Sequence, residues 1–92
     1  MQDWSKYIER PMAEVLPELE AEGYRVTSEE YEIWGLRNTV IVKGDVVAEI
    51  VCIPDDYEEY DEGNVEPEDV DWWVDDIFEN GESFQDYSQR PD

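Results

Sequence analysis

Hydrophobic positions near the N-terminus recur at steps of three and four residues, which is the period of an amphipathic helix. Gly23 can adopt the left-handed conformation that often follows a helix, so the pattern predicts a first helix over about residues 3–22. Pro11 suits a first helical turn, whereas Pro17 removes a backbone donor inside the helix. We therefore expect a break near Arg10 or a kink. The apolar positions are Trp4, Tyr7, Ile8, Met12, Val15, Leu16 and Leu19.

The middle of the chain is rich in β-branched and aromatic residues separated by turn signals, a composition typical of strands. A first strand is predicted in residues 24–27 or in residues 31–34. Residues 39–43 and 46–53 flank a turn at residues 44–45, and this arrangement predicts a β-hairpin.

Both faces of the second hairpin strand are largely apolar. An antiparallel strand with one solvated face would alternate apolar and polar residues, so we expect a helix or a second copy of the molecule to cover the second face as well. Cys52, the only cysteine, predicts a buried reduced thiol in this strand. One face has Val46, Ala48, Ile50 and Cys52, and the other has Val47, Glu49, Val51 and Ile53.

Residues 55–66 are acidic and without a period, and we expect a loop there. Pro67 then suits a first helical position, and the following apolar stripe predicts a second helix that ends near Gly81. The remaining residues, 82–92, are predicted to form a polar tail. The stripe consists of Val70, Trp73, Val74, Ile77 and Phe78.

These elements predict one α+β domain over residues 1–92, with a small antiparallel sheet of about three strands and two helices in the order α-β-β-β-α. A domain of this size buries a modest core, which together with the two-sided apolar strand predicts a homodimer. The sequence has neither a signal-peptide pattern nor an apolar run of about 18 residues, so we expect a cytoplasmic protein.

The charge is the most unusual property of the chain. It has 27 Asp and Glu, 6 Lys and Arg and no His, for a net charge of −21. Self-repulsion at this charge opposes folding, yet 40% of the residues are hydrophobic and 13% aromatic, unlike disordered acidic segments. We therefore expect a folded domain whose charge serves to bind a basic partner. The alternative is that the acids form a solvated face that raises solubility.

The acids are concentrated in the C-terminal part, since residues 55–92 hold sixteen acids and one base. In the predicted helices, acids four residues apart would form rows along one side, and such rows could represent the phosphates of DNA. The candidate partner-binding residues are Glu14, Glu18, Glu22, Asp55, Asp56, Glu58, Glu59, Asp61, Glu62, Glu68, Asp71, Asp75, Asp76 and Glu79.

Catalytic chemistry has little support in the sequence, because there is no His and the serines are scattered. An EF-hand pattern that begins at Asp69 fails because Val74 occupies the required glycine position. We therefore predict no enzyme activity, no cofactor and no metal site. Trp72 lies at the edge of the predicted helical stripe, where it would serve either as an interface anchor or as the rim of the core.

Small size, extreme acidity, interleaved aromatic residues and the absence of catalytic groups resemble the phage-encoded DNA-mimic proteins. Within that group the length, the charge and residues 6–22 look most like the small Arn-type anti-restriction proteins of T-even phages. The resemblance implies a dimer that copies a bent duplex. It also implies a host target such as a McrBC-like restriction nuclease or an H-NS-like nucleoid protein.

A second hypothesis is an immunity-type or antitoxin-type inhibitor that blocks the active site of one basic nuclease. A DNA mimic would tolerate any single acid-to-amide change, whereas an active-site inhibitor would depend on two or three residues.

Overall fold

The computed structural model describes residues 3–32, 36–55, 63, 66 and 70–83. Within these residues the chain forms one helix and one five-stranded antiparallel sheet, whose strand order follows the sequence. The predicted α+β class is confirmed, but the described residues contain one helix instead of two and five strands instead of about three. The elements are α1 (Met12–Ala21), β1 (Arg25–Glu32), β2 (Leu36–Lys43), β3 (Val46–Pro54), β4 (Trp72–Glu79) and β5 (Glu82–Ser83).

Helix α1 begins after Pro11, whose backbone is extended with φ −62° and ψ 134°. Residues 5–9 form turns, and Glu9 has a positive φ of 62°, so the first part of the predicted helix is not helical. The break that the prolines predicted near Arg10 is therefore confirmed. Pro17 lies inside α1, which continues to Ala21.

The predicted hairpin is confirmed as β2 and β3, in which Ile41 pairs with Ala48. Gly44 in the turn has a φ of 59°, which glycine adopts without the steric cost that a Cβ would add. Strand β1 pairs with the other edge of β2 and spans the region in which two alternative short strands were predicted.

The predicted second helix is wrong, because residues 72–79 form strand β4, which pairs with β3. Glu82 and Ser83, at the start of the predicted polar tail, form β5 against the end of β4. The predicted helix start at Pro67 and the rest of the tail, residues 84–92, lie outside the described residues.

A β-bulge at Asp75 explains why β4 resembles a helix in sequence. The β3–β4 register passes from Cys52–Val74 to Val51–Asp76 and skips Asp75, so the strand faces shift by one residue at this point. Trp72 and Val74 are buried before the bulge, and Ile77 is buried after it. The bulge places Val74 and Ile77, three residues apart, on one face, and Trp73 and Phe78 of the outer face complete the spacing of a helical stripe.

The hydrophobic core lies between α1 and one face of the sheet, which we call the inner face. Three aromatic residues extend the core beyond the helix: the ring centroid of Trp4 lies 5.9 Å from that of Tyr7 and 5.7 Å from that of Tyr24. The other core residues are Met12, Val15 and Leu19 of α1 and Ile41, Ala48, Ile50, Cys52, Trp72, Val74 and Ile77 of the sheet.

Cys52 is a free cysteine buried on the inner face. Burial disfavours the thiolate and raises the pKa of this thiol to about 12. The predicted burial of Cys52 is confirmed, and its high pKa makes it a structural residue of the core.

The opposite side of the sheet, the outer face, retains exposed apolar residues. Val47 is 45% exposed and Ile53 is 39% exposed. No helix of the described part of the chain covers this face, since α1 packs on the inner one. The other apolar residues that share it by register are Val40, Val42, Val51, Trp73 and Phe78.

Candidate functional site

The described positive side chains all lie in the first half of the sequence, whereas acids occur throughout it. Every described Lys and Arg precedes β3, and residues 46–83 contain no basic residue. Strands β3 to β5 and the segment that joins β3 to β4 therefore have carboxylates and no cation of their own. In the described residues the ion pairs are Lys6–Glu22, Arg10–Glu18 and Arg37–Glu29.

Glu14 and Glu18 lie one turn apart on α1, and Glu22 follows at its C-terminal end, so the predicted row is present. Glu18 accepts hydrogen bonds from the guanidinium of Arg10, which lowers the pKa of its carboxyl. This carboxylate is therefore already paired within the chain.

Glu22 is tied to the chain by two donors. The hydroxyl of buried Tyr7 donates to Oε2 at 2.8 Å, and Nζ of Lys6 donates to Oε1 at 3.1 Å. The Tyr7 hydrogen bond, followed by that of Lys6, lowers the pKa of the Glu22 carboxyl. A basic partner would have to compete with Lys6 and Arg10 for two of the three carboxylates in the helical row.

The second predicted row, Asp71, Asp75 and Glu79, does not exist as a helical row. Eight residues of strand span roughly 26 Å, compared with about 12 Å in a helix. Asp71 and Asp75 are exposed near the start of β4, whereas Glu79 is half-buried at its other end. Glu79 accepts a hydrogen bond of 3.2 Å from Nε1 of Trp4, which gives it a structural role.

Asp76 also has a structural role. Its Oδ1 accepts a hydrogen bond of 2.8 Å from the backbone N–H of Ile77, and its Oδ2 accepts one from the hydroxyl of Ser83. These bonds connect the residues after the bulge to β5. Asp76 is therefore a weaker candidate for partner binding than the exposed acids.

Asp55 lies at the end of β3 beside the start of β4, where its backbone N–H donates to the carbonyl of Asp71 at 2.8 Å. Both side chains are exposed. The structure thus brings together Asp55, Asp71 and Asp75, and we call this group the sheet-end carboxylates. The other predicted acids, Asp56, Glu58, Glu59, Asp61, Glu62 and Glu68, lie outside the described residues.

Glu9 belongs near this group, although nothing in the sequence indicated it. Its backbone N–H donates to the carbonyl of Val74 at 2.8 Å, and the N–H of Val74 donates to the carbonyl of Arg10 at 2.9 Å. Residues 9–11 thereby extend along β4. Only this long-range pairing places the exposed Glu9 carboxylate at the same end of the sheet.

Trp72 is buried at 4% exposure and contacts Tyr31, with 5.7 Å between ring centroids. It belongs to the core, so its use as an interface anchor is excluded in this fold. The half-buried Trp73 lies on the outer face instead.

In the part of the chain that the structure describes, no group of three or more His, Cys, Asp or Glu is arranged to hold a metal ion. The helix found in the described ranges is not long and apolar enough to span a membrane.

Comparison of the chain with models of protein families, with curated proteins and with solved structures finds no match.

Proposed function

We propose that this protein is an inhibitor that occupies the DNA-binding surface of a basic protein, with its carboxylates in the places of phosphates. The observation that supports the proposal is the distribution of charge along the chain: residues 46–83 include no Lys or Arg, and every cation of the described residues precedes β3 in the sequence. A face made only for solubility would mix both signs.

The sheet-end carboxylates form the described part of the proposed binding surface. Between Asp55 and Asp71 the sequence has eight further acids and no base. Both ends of this segment join the sheet at the same place, since the backbones of Asp55 and Asp71 are hydrogen-bonded. Duplex DNA has one negative charge per about 1.7 Å of its axis, so a dense acidic region is what a DNA mimic requires.

The proposed mechanism is occupancy without a chemical step. Carboxylates attract the Lys and Arg of the target over a distance, accelerate association and then exclude DNA from the same surface. The helical row contributes less than the sheet end, because Glu18 and Glu22 already pair with Arg10 and Lys6. We further propose a bacterial host target of the McrBC-like or H-NS-like kind, as in the phage anti-restriction proteins, and therefore action in the host cytoplasm.

A homodimer is part of the proposal. Val40, Val47 and Phe78 line a depression of about 290 Å³ on the outer face, near the hairpin turn. Because Val47 remains 45% exposed, a second copy packed there would bury apolar surface that the described residues leave open. Joining two copies would also double the acidic surface.

Competition against labelled duplex DNA tests the proposed function. A purified H-NS-like protein is loaded with the duplex, and displacement is followed by fluorescence anisotropy at two salt concentrations. We expect displacement that weakens as salt rises, because the contacts are electrostatic. Polyglutamate of the same length is the matched control for charge alone. If the protein displaces DNA no more strongly than polyglutamate does, the acids form only a solvated face and the proposed function is wrong.

The same assay separates the two inhibitor classes. A distributed mimic loses affinity in proportion to the number of carboxylates removed. One dominant amide substitution would instead indicate the active-site inhibitor, an alternative that no longer has Trp72 as its anchor.

A further inference from the structure

A pocket of about 280 Å³ opens on the outer face at the end of the sheet where β3 finishes. Its apolar lining includes Ile53, Pro54 and Trp73, of which Ile53 and Trp73 are paired residues of β3 and β4. An aromatic ring on a partly open apolar surface is a typical binding site for a flat side chain.

The polar lining of this pocket consists of carboxylates from three separate parts of the chain. They belong to Glu9, Asp55 and Asp75, all of them exposed, and no Lys or Arg lines the pocket. An acidic or a purely apolar side chain would be disfavoured beside three carboxylates. A cation is the complementary ligand.

Backbone hydrogen bonds hold two of the three carboxylate-bearing residues, and a bulge holds the third. The N–H of Glu9 bonds to β4, and the N–H of Asp55 bonds to the carbonyl of Asp71. Asp75 is placed by the bulge, which leaves it outside the β3–β4 register. Bulges commonly redirect a side chain in this way. The pocket is therefore built before any ligand arrives, which reduces the entropy lost on binding.

We propose that this pocket receives an arginine side chain of the basic partner. The proposal rests on the proposed function for the existence of that partner and adds a defined contact to it. A guanidinium is planar and weakly hydrated, so it stacks on the indole of Trp73 while its N–H groups donate to the surrounding carboxylates. The lysine ammonium is a more strongly hydrated point charge and fits an aromatic wall less well.

An NMR titration with a capped Gly-Arg-Gly peptide tests the pocket directly. The indole N–H signal of Trp73 is assigned by its loss in Trp73→Phe, and we expect it to shift in a saturable way. The neutral analogue with citrulline in place of arginine should cause no such shift. Asp55→Asn and Asp75→Asn should each weaken binding by about threefold to fivefold, the range for a partly exposed charge pair.

Asp45→Asn is the matched control, because it removes one exposed carboxylate in the β2–β3 turn, outside the pocket lining. It should leave the peptide affinity unchanged. Equal shifts with the citrulline peptide, or equal losses in Asp45→Asn and Asp55→Asn, would overturn the pocket. An equal affinity for a Gly-Lys-Gly peptide would overturn the assignment to arginine.

The outcome is separable from that of the proposed function. Saturable arginine binding at Trp73 without displacement of DNA from the H-NS-like protein would support the pocket and contradict DNA mimicry. Displacement of DNA without any shift at Trp73 would support mimicry and contradict the pocket.

Discussion

Trp72 and Trp73 are adjacent, but their side chains lie on opposite faces of β4, since successive side chains of a strand alternate. Trp72 is buried on the inner face, where its ring contacts that of the exposed Tyr31, whereas Trp73 forms part of the outer face. Two identical residues therefore have different uses. Trp72 supplies buried area to the core, and Trp73 supplies the aromatic surface of the proposed arginine pocket.

Replacement of Trp72 by alanine measures the contribution of its buried side chain to stability. We expect Trp72→Ala to lower the free energy of unfolding by about 3 to 5 kcal/mol, the usual cost of truncating a buried Trp. Urea denaturation followed by circular dichroism checks the value, with Val47→Thr as an exposed control on the same sheet. A loss below about 1 kcal/mol would mean that Trp72 is not a core residue.

Among the acids, hydrogen bonds and ion pairs within the chain determine which carboxylates a partner can bind without competition. Glu22 is held by Tyr7 and Lys6, and Glu79 accepts a hydrogen bond from Trp4. The sequence shows that these residues are acidic, but their partners are distant in the chain. The spacing of acids in the sequence does not distinguish carboxylates that form hydrogen bonds within the fold from carboxylates that face solvent.

At the scale of elements, local signals predicted α1 and the β2–β3 hairpin. Each of these signals comes from the backbone preference of one residue: Pro11 fixes the start of α1, and Gly44 permits the turn of the hairpin. Strand β4 was not predicted, because the bulge at Asp75 and the apolar residues on both of its faces together give the spacing of a helical stripe. Its high content of Trp, Val, Ile and Phe was the signal that favoured a strand.

The dependence of stability on low pH is predicted from the pKa of Glu22, at the C-terminal end of α1. Its pKa in the folded state is lowered from the usual value of 4.5 by Tyr7 and Lys6. The resulting stabilisation is present above that value and is lost as the pH falls through the lower pKa of the folded state. As the pH falls from about 5 to about 3, we expect the free energy of unfolding to decrease less in Glu22→Gln than in the native chain.

Urea denaturation at a series of pH values measures this difference. Glu14→Gln is the control, since Glu14 is exposed on the same helix and has no ion pair in the described residues. A native chain whose stability falls no faster than that of Glu22→Gln would contradict the contribution of the Tyr7 and Lys6 contacts.

At the scale of the whole molecule, the net charge of −21 opposes compactness. The cations that offset it in the described residues all precede β3 in the sequence. Added salt screens repulsion between exposed carboxylates, with a Debye length that falls from about 30 Å at 0.01 M to about 8 Å at 0.15 M. We therefore expect the melting temperature to rise between these concentrations in calorimetry. A fall would mean that the ion pairs of α1 outweigh the repulsion.

The proposed dimer is tested by sedimentation equilibrium at micromolar concentration. We expect twice the chain mass of 10.9 kDa, because the outer face offers exposed apolar residues to a second copy. Val47→Glu should shift the equilibrium to monomer without unfolding, since Val47 is 45% exposed. A native chain that sediments as a monomer would contradict the interface and the duplex-like surface built on it.

The hydrogen bond between the backbones of Asp55 and Asp71 has a consequence for the evolution of the chain. Residues 56–70 leave and rejoin the sheet at adjacent positions, so their length is not constrained by the strands on either side. Doubling the number of residues between two such fixed ends adds only about 0.6 kcal/mol of closure entropy. Homologous chains can therefore differ in the length and charge of this segment while they keep the same sheet. Such differences would suit them to different basic targets.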